Sequence, residues 1–232
     1  MTELRTEDFD FHLPEELIAA RPPEERDAAR MLVVDRSSGT VEPLRFHQFP
    51  DFVRERDIVV LNDTRVVPSR FFSDDGKVEL VKLDEPDPLR WCCLVRPGKR
   101  MREGREVSVA GVRGVVESVL PGGERVIRFD RAIDAEKHGE LALPHYMERD
   151  ADEVDRERYQ TVYAKREGAI AAPTAGLHFT PDLLARLRHT FLTLHVGVGT
   201  FQPVRADRIA DHRMHAERFE VSSEAAGAIN SA

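Results

Sequence analysis

Two short runs of continuously apolar residues predict the buried strands of the chain. The run at residues 58–61 predicts a strand that is buried on both faces, and the run at residues 191–196 predicts a second one because it is apolar and contains β-branched residues. Each run is followed directly by polar or glycine-rich residues. In α/β folds the carboxyl ends of the strands are where ligands bind, so both ends are candidate sites.

Residues 181–188 lie between the two runs and predict a short helix. Thr180 is a favourable N-cap, and Pro181 suits the first helical position. Leu183, Leu184 and Leu187 then share one face. Closer to the N-terminus, the pattern predicts a helix from Leu13 that ends before Pro22, a hairpin over residues 31–43, and a brief helix at residues 49–53.

The pattern changes between residues 71 and 144. Five or six short apolar segments alternate with Pro-Gly and Gly-Gly turns, which is typical of a small barrel or sandwich. Helix signals stop at residue 71 and resume near residue 150, so we expect an insertion. The predicted architecture is a discontinuous α/β domain (residues 1–70 and 145–232) that contains a small antiparallel β domain (residues 71–144).

Composition limits the classes of function. The chain has 232 residues, of which 41% are hydrophobic and 33% charged, and it contains no apolar run long enough for a membrane span. The polar N-terminus is unlike a secretory signal, so we expect a cytoplasmic protein. Cys92 and Cys93 are adjacent, which favours two reduced strand residues over a structural cross-link.

The polar residues that follow the strands are the candidate site residues. They comprise Asn62, Asp63, Thr64 and Arg65, then Thr174, Gly176 and His178, and finally His195, Gly197, Gly199, Thr200 and Phe201. Arg65 stands beside a strand expected to be interior and should need an anionic partner. The dinucleotide-binding fingerprint is not met, because Gln202 stands where its third glycine is required, and the phosphate-loop motif is absent. A single histidine near a glycine is often structural, and an Asx turn after residue 61 is the alternative for the first group.

One basic stretch stands out in a chain whose net charge is −8. Residues 96–105 contain Arg96, Lys99, Arg100, Arg102 and Arg105 against Glu103 alone, which predicts a local nucleic-acid contact or, alternatively, a solvated hairpin tip. His212, His215 and Glu217 lack a third ligand at a matching spacing, so we expect no metal.

Six motifs stand out along the chain. In chain order they are DFDFHLPEELIA at residues 8–19, VLNDTRV at 60–66, LVRPGKR at 94–100, ERYQTVYA at 157–164, AAPTAGLHFT at 171–180 and TLHVGVGTF at 193–201. Together they resemble one known family, the S-adenosylmethionine:tRNA ribosyltransferase-isomerases of queuosine biosynthesis. The last two are long and specific, and the six span nearly the whole chain in the order of the family.

The resemblance implies the reaction and a division of roles. The ribosyl moiety of S-adenosylmethionine is transferred to the 7-aminomethyl-7-deazaguanine base at the tRNA wobble position and isomerised to epoxyqueuosine, with release of adenine and methionine. His178 and His195 become acid/base candidates, and Asp63 is the alternative base. The residues expected to bind substrate are Asn62, Thr64, Arg65, Thr174, Gly176, Gly197, Gly199, Thr200 and Phe201. The residues expected to bind tRNA are Arg96, Lys99 and Arg100. We expect a monomer without a cofactor, in which S-adenosylmethionine is a co-substrate.

Members of the family continue beyond the last residue of this sequence with two further motifs. We therefore expect these residues to be the ordered part of a longer protein, the alternative being a truncated chain. A non-catalytic tRNA- or nucleoside-binding remnant is the competing function, and an unrelated hydrolase is disfavoured because no Gly-x-Ser-x-Gly motif occurs.

Overall fold

The computed structural model describes residues 4–147, 149–201 and 204–232. They fall into two units, an α/β unit formed by Met1–Val66 with Pro144–Ala232, and a β unit formed by Val67–Leu143. Within the described ranges, the helices are too short or too polar to cross a bilayer.

The secondary structure consists mainly of short strands. In chain order the strands are β1 (Arg30–Val34), β2 (Val41–Arg45), β3 (Val59–Asn62), β4 (Thr64–Val66), β5 (Arg70–Phe72), β6 (Glu79–Asp87), β7 (Arg90–Arg96), β8 (Glu106–Val109), β9 (Val112–Val119), β10 (Arg125–Phe129), β11 (Arg166–Ala169), β12 (His189–His195) and β13 (Arg218–Glu220). The α-helices are α1 (Ala135–His138), α2 (Glu153–Arg158), α3 (Pro181–Ala185) and α4 (Ser223–Asn230). The α/β prediction is confirmed.

Three small sheets organise the α/β unit. Strands β1 and β2 form the predicted hairpin, β11 pairs in parallel with β4, and β12 lies between β3 and β13. Strand β12 runs parallel to β3 and antiparallel to β13. Since β3 and β12 are parallel, their carboxyl ends lie at one edge of the sheet, which brings the residues after each strand together.

Helix α3 packs its leucine face against the β3–β12 sheet. Thr180 caps the helix by accepting a hydrogen bond from the Leu183 N–H at 3.2 Å, as predicted. Leu183, Leu184 and Leu187 are buried in one cluster with Leu61 and Phe179. The helix ends at Ala185, earlier than the predicted residue 188, which leaves three residues for the connection to β12.

The prediction that residues 58–61 are buried on both faces is wrong. Leu61 is buried against the α3 cluster, whereas Val60 on the opposite face is 41% exposed. A three-stranded sheet that is covered on one face can contain such an apolar run. A continuous run of apolar residues therefore does not establish that both faces of the strand are buried.

Two helix predictions also need correction. The predicted N-terminal helix is only a 3₁₀ turn at Glu15–Leu17, and both Leu13 and Leu17 are exposed. Its apolar stripe has no buried face to stabilise a longer helix. Helix signals do not stop between residues 71 and 150 either, because Asp134 caps α1 by accepting a hydrogen bond from the Lys137 N–H. The brief helix expected near residue 49 is a 3₁₀ helix at Phe46–Phe52.

The β unit contains a six-stranded antiparallel sheet with the order β5-β6-β7-β10-β9-β8. Its core surrounds Trp91, whose ring packs in a tilted arrangement 4.6 Å from Phe71 and 4.8 Å from Phe129, measured between ring centroids. The predicted strands of this segment are confirmed as β6 to β10, and Cys92 and Cys93 lie in β7 as free thiols.

Candidate active site

Asn62 ends strand β3 and joins it to β12. Its Nδ2 donates to Leu194 O at 2.8 Å, and its Oδ1 accepts from the Leu194 N–H at 2.9 Å and from the Thr64 N–H at 3.2 Å. The Asn62 side chain thus takes the place of backbone hydrogen bonds between β3 and β12 at the point where the two strands separate. A role in substrate binding stays a prediction, since these contacts are all internal.

Asn62→Ala should lower the free energy of unfolding of the α/β unit by about 1–3 kcal/mol. The substitution leaves the half-buried Leu194 N–H and carbonyl without their partners. Urea unfolding followed by circular dichroism measures the loss, and Asn230→Ala at the exposed end of α4 is a matched amide control. A loss below about 0.5 kcal/mol would show that water replaces the amide at no cost.

Asp63 follows Asn62 at the same sheet edge. Its Oδ1 accepts a hydrogen bond of 2.6 Å from the hydroxyl of Thr193, a buried residue of β12. Its backbone carbonyl accepts from the N–H groups of Lys165 and Arg166 at the start of β11. Asp63 is therefore fixed from two strands, and its carboxylate retains lone pairs for a cation or a proton.

His195 ends β12 and contacts Thr64. The distance between His195 Nδ1 and Thr64 Oγ1 is 2.8 Å, and the Thr64 hydroxyl also points to Arg166 O at 3.4 Å. When the hydroxyl donates its proton to that carbonyl, Nδ1–H donates to the hydroxyl, and Nε2 carries the free lone pair. The contact thus selects the tautomer that a general base requires.

Glycine at position 168 allows His195 to lie where it does. Its φ is +142°, and a Cβ at this position would lie 2.8 Å from the Nδ1 and Cε1 atoms of the imidazole. Burial lowers the pKa of His195 below its ordinary value, as does the charge of Arg218, whereas Asp63 acts in the opposite direction. The ring is therefore neutral at pH 7 and able to accept a proton.

Arg65 does not need the anionic partner that its sequence position suggested. It is exposed in β4 between buried Thr64 and Val66, because successive residues of a strand point to opposite faces. Water satisfies the guanidinium, so the expectation of a buried charge is wrong. Its role in binding substrate stays a prediction.

His178 lies at a second place in the α/β unit. It ends the 3₁₀ helix Thr174–His178 and packs its ring 5.1 Å from that of Phe46. Burial lowers its pKa; a hydrogen bond with the backbone of Arg26 opposes this shift, and the Arg26 charge adds to it. Gly176 is required here, because a Cβ would overlap the hydroxyl of Tyr163.

Thr174 and His178 line a cavity of about 680 Å³ in this unit. The wall also contains six arginines, at positions 21, 26, 30, 45, 149 and 158, of which Arg158 alone lies in one of the six motifs. They are scattered over 138 positions of sequence, so no local spacing could have collected them.

The second glycine-rich loop is held by residues near β13. The Gly197 N–H donates to Glu217 Oε1 at 2.8 Å, and a Cβ on Gly199 would lie 3.0 Å from the His215 ring. Thr200 Oγ1 donates to Gly197 O at 3.1 Å within the 3₁₀ turn that ends at Phe201. The sequence treated His215 and Glu217 only as metal ligands and missed this supporting role; Gln202 lies outside the described residues.

The basic loop of the β unit, residues 96–105, is exposed and is held in place by Arg125. Arg96, Lys99 and Arg100 are all exposed, and a 3₁₀ turn spans Gly98–Arg100. Arg125 donates to Gly98 O at 2.9 Å, to Met101 O at 2.9 Å and to Gly123 O. The guanidinium of Arg125 therefore fixes the loop through the Gly98 and Met101 carbonyls and ties it to the β9–β10 turn through Gly123 O. No local spacing in the sequence indicates these contacts.

The chain matches a family model described as a queuosine biosynthesis protein over residues 6–232. It is similar to the S-adenosylmethionine:tRNA ribosyltransferase-isomerase of Pelobacter propionicus, at 47% identity over 96% of this chain and 69% of the relative. The enzyme of the same name from Geobacter metallireducens is 43% identical over 98% of this chain and 71% of its own length. A solved S-adenosylmethionine tRNA ribosyltransferase from Thermotoga maritima is 24% identical, with a TM-score of 0.39, over 96% of this chain and 64% of its own.

The chain thus spans about two thirds of the length of these relatives. The motif resemblance is confirmed by the match to the family model and by the identity to the curated relatives. This chain belongs to the queuosine biosynthesis protein family, together with the S-adenosylmethionine:tRNA ribosyltransferase-isomerases.

Proposed function

We propose that this chain performs the ribosyl transfer and isomerisation of its family, from S-adenosylmethionine to the 7-aminomethyl-7-deazaguanine base at the tRNA wobble position. The observation that carries this proposal is the group formed by Asp63, Thr64 and His195 at the shared edge of β3 and β12. It combines a fixed carboxylate with an oriented, neutral imidazole. The proposed substrate is consistent with a cytoplasmic, monomeric enzyme.

The proposed reaction requires a general base near the sulfonium of S-adenosylmethionine. The sulfonium acidifies the hydrogens on the adjacent ribose C5′, and loss of one of these protons starts the opening of the ribose and the departure of adenine. His195 Nε2 takes that proton, while Thr64 holds Nδ1 and keeps the lone pair on Nε2. The amine of the tRNA base then attacks the ribosyl carbon, and methionine leaves as the epoxide closes.

The other groups position the substrates. Asp63 pairs with the sulfonium cation, because its carboxylate is fixed by Thr193 and opposite in charge. The loop with Gly197, Gly199, Thr200 and Phe201 contacts the nucleoside of S-adenosylmethionine, whereas Thr174 lies in the separate cavity that His178 also lines. Arg65 and Asn62 take the methionine carboxylate or the ribose hydroxyls. His178 is the alternative acid/base group, because it too is neutral at pH 7.

We also propose that the sheet of the β unit closes into a small inserted barrel. Contacts between its two edge strands support this. Asp74, which follows β5, donates its N–H to Ser108 O of β8 at 2.8 Å, and its carboxylate accepts from the Ser108 hydroxyl. The same carboxylate accepts from the Gly111 N–H at 3.1 Å. The inserted segment starts and ends within the sequence of the α/β unit.

Lys99→Ala combined with Arg100→Ala should weaken tRNA binding about tenfold and lower the slope of log K against log salt concentration by about 1–2. Both side chains are exposed on the loop that Arg125 anchors, where they can contact phosphates. Filter binding of a tRNA transcript from 50 to 300 mM salt measures both effects. Lys137→Ala, at an exposed position of α1 in the β unit, is the control. An unchanged slope in the double variant would remove this loop from the tRNA contact.

The proposed reaction is tested by following the ribose carbon atoms. The protein is incubated with S-adenosylmethionine labelled with ¹³C in its ribose and with tRNA carrying the aminomethyl-deazaguanine base. Mass spectrometry of the digested nucleosides should show five labelled carbons on the modified base. If the tRNA base stays unmodified while the protein binds both substrates, the result would support the competing proposal of a non-catalytic tRNA-binding protein.

A further inference from the structure

The cavity beside His178 concentrates positive charge in an acidic protein. Six arginines line it: Arg21, Arg26, Arg30, Arg45, Arg149 and Arg158. Among the described residues of its wall, Asp155 is the one carboxylate. The net charge of the whole chain is −8, so this arrangement is opposite in sign to the average surface. A concave wall of one charge sign focuses the electrostatic potential and attracts counter-charged ligands.

Carboxylates neutralise only part of this charge. Asp155 accepts two hydrogen bonds from Arg149, and Arg21 pairs with Asp152 at 2.6 Å. In the described part of the chain, no carboxylate forms an ion pair with the other four arginines, which are Arg26, Arg30, Arg45 and Arg158. Burial lowers the pKa of Arg26, and the charge of Arg158 lowers it further against the opposing effect of Glu157. The cavity therefore retains a positive charge.

Backbone carbonyls satisfy several of these guanidinium groups without neutralising them. Arg26 donates to Leu177 O and to Glu157 O, both at 3.0 Å. Arg158 donates to Pro23 O at 2.6 Å, and Arg45 donates to Ala28 O at 2.9 Å. These bonds fix the segment before β1, which is a structural role. They leave the positive charges in place.

Arg30 is not explained by that structural role. It lines the cavity without a hydrogen bond or ion pair to the rest of the described chain. In the β1–β2 ladder it lies directly opposite Arg45. Like charges placed directly opposite each other destabilise a strand pair, so this pairing lowers the stability of the hairpin. A ligand that brings negative charge between the two guanidinium groups would compensate for it.

S-adenosylmethionine does not fit this wall. Its sulfonium and ammonium groups outnumber its one carboxylate, so it is a net cation and the arginines repel it. Phosphodiesters match the wall better, because arginine binds phosphate oxygens through two parallel N–H groups. A cavity of about 680 Å³ is also large enough for one nucleotide with its flanking phosphate.

We propose that this cavity of the α/β unit, the arginine cavity, binds backbone phosphates of the tRNA. It would be a second RNA contact in addition to the basic loop of the β unit. This inference rests on the proposed function. A nucleotide held there by its phosphate lies beside Thr174 and His178, which share the cavity wall. Phosphate contacts of this kind position an RNA without reading its sequence.

The test is a charge reversal on the hairpin. Arg30→Glu should weaken binding of a tRNA transcript at least tenfold and lower the salt slope by about 1 or more. The same change should maintain or raise the melting temperature, because it replaces a like-charge pair opposite Arg45 with an attractive one. Arg36→Glu is the matched control, since it makes the same charge change in the exposed turn of the same hairpin, away from the cavity wall.

Each outcome decides the proposal. Loss of tRNA affinity in Arg30→Glu but not in Arg36→Glu, with a smaller loss in Arg30→Lys, which keeps the charge without the two parallel N–H groups, supports it. Equal losses in both reversals point to overall charge and overturn it. If Arg30→Glu loses only the binding of adenosine monophosphate and keeps that of tRNA, the cavity takes a small free anion, which also overturns it. A wild-type protein that binds no tRNA would overturn the proposed function itself, whereas normal tRNA binding by Arg30→Glu would overturn this inference alone.

Discussion

Replacing His195 with alanine is expected to lower the turnover number about 10²–10⁴-fold, with a much smaller change in the Michaelis constant for S-adenosylmethionine. The imidazole is neutral, half-buried, packed on Gly168 and held through Nδ1 by Thr64. Removing it takes away the group that accepts the proton but leaves the fixed carboxylate of Asp63 in place. The loss therefore falls on the chemical step.

Two further variants separate catalysis from folding. Thr64→Val removes the hydroxyl that orients the ring and should lower turnover less than the loss of the ring itself. His189→Ala removes a histidine from the amino end of the same strand, far from the sheet edge that carries His195, and should leave turnover close to wild type. If His195→Ala keeps more than half of the wild-type turnover, His195 is not the base, and His178→Ala becomes the decisive variant.

The rate should also fall on the acidic side of neutrality. Burial and Arg218 lower the pKa of His195, so the neutral, basic form persists below the ordinary value of 6.5. We expect kcat/KM to be independent of pH near 7 and to decrease only as the pH falls below that ordinary value. A rate that is already falling between pH 7.5 and 7 would require a base with a raised pKa and would contradict this assignment.

Trp91→Ala is expected to lower the stability of the β unit by about 3–5 kcal/mol. Trp91 is 1% exposed and packs against the tilted rings of Phe71 and Phe129, so its removal leaves a cavity among side chains that cannot all move inward. The basic loop would lose its support as well, because Arg125, which anchors that loop, lies in β10 beside β7.

Hydrogen exchange of the β8–β10 amides measures this loss. Tryptophan fluorescence is unsuitable, since Trp91 is the one tryptophan of the chain. Val119→Ala, at an exposed position of the same sheet, should change protection by less than 0.5 kcal/mol. A change below about 1 kcal/mol in Trp91→Ala would mean that the core of the β unit repacks around the missing ring.

The local sequence pattern was sufficient to predict a strand or helix where the segment shows a repeating hydrophobic pattern or a clear turn or cap residue. The hairpin, β8, β9, β10 and the capped helix α3 follow from alternation, turn residues and the Thr180 cap. Strands β4 and β13 escaped prediction because each has only three residues, too few to display a period. Strand β11 escaped it because its residues, Arg-Glu-Gly-Ala, do not alternate between apolar and polar. The pairing of β4 with β11 joins residues about 100 positions apart, and that of β13 with β12 joins residues about 25 positions apart.

The candidate site was predictable in composition but not in arrangement. The sequence named Asp63, Thr64 and His195, and parallel pairing of β3 with β12 brought them together. It also placed His178 in the same group, whereas the structure puts His178 on the arginine cavity. The arginines of that cavity come from the segment before β1, from both strands of the hairpin, from α2 and from Arg149 ahead of α2. Only tertiary folding assembles them, so no motif could have indicated a second RNA contact.

The most direct test of the proposed reaction is adenine release from S-adenosylmethionine, measured with and without tRNA that carries the aminomethyl-deazaguanine base. We predict release that requires this tRNA, with one adenine formed for each base modified, and its loss in His195→Ala. Absence of release from a folded protein that binds both substrates would contradict the assignment of ribosyl transfer to this chain.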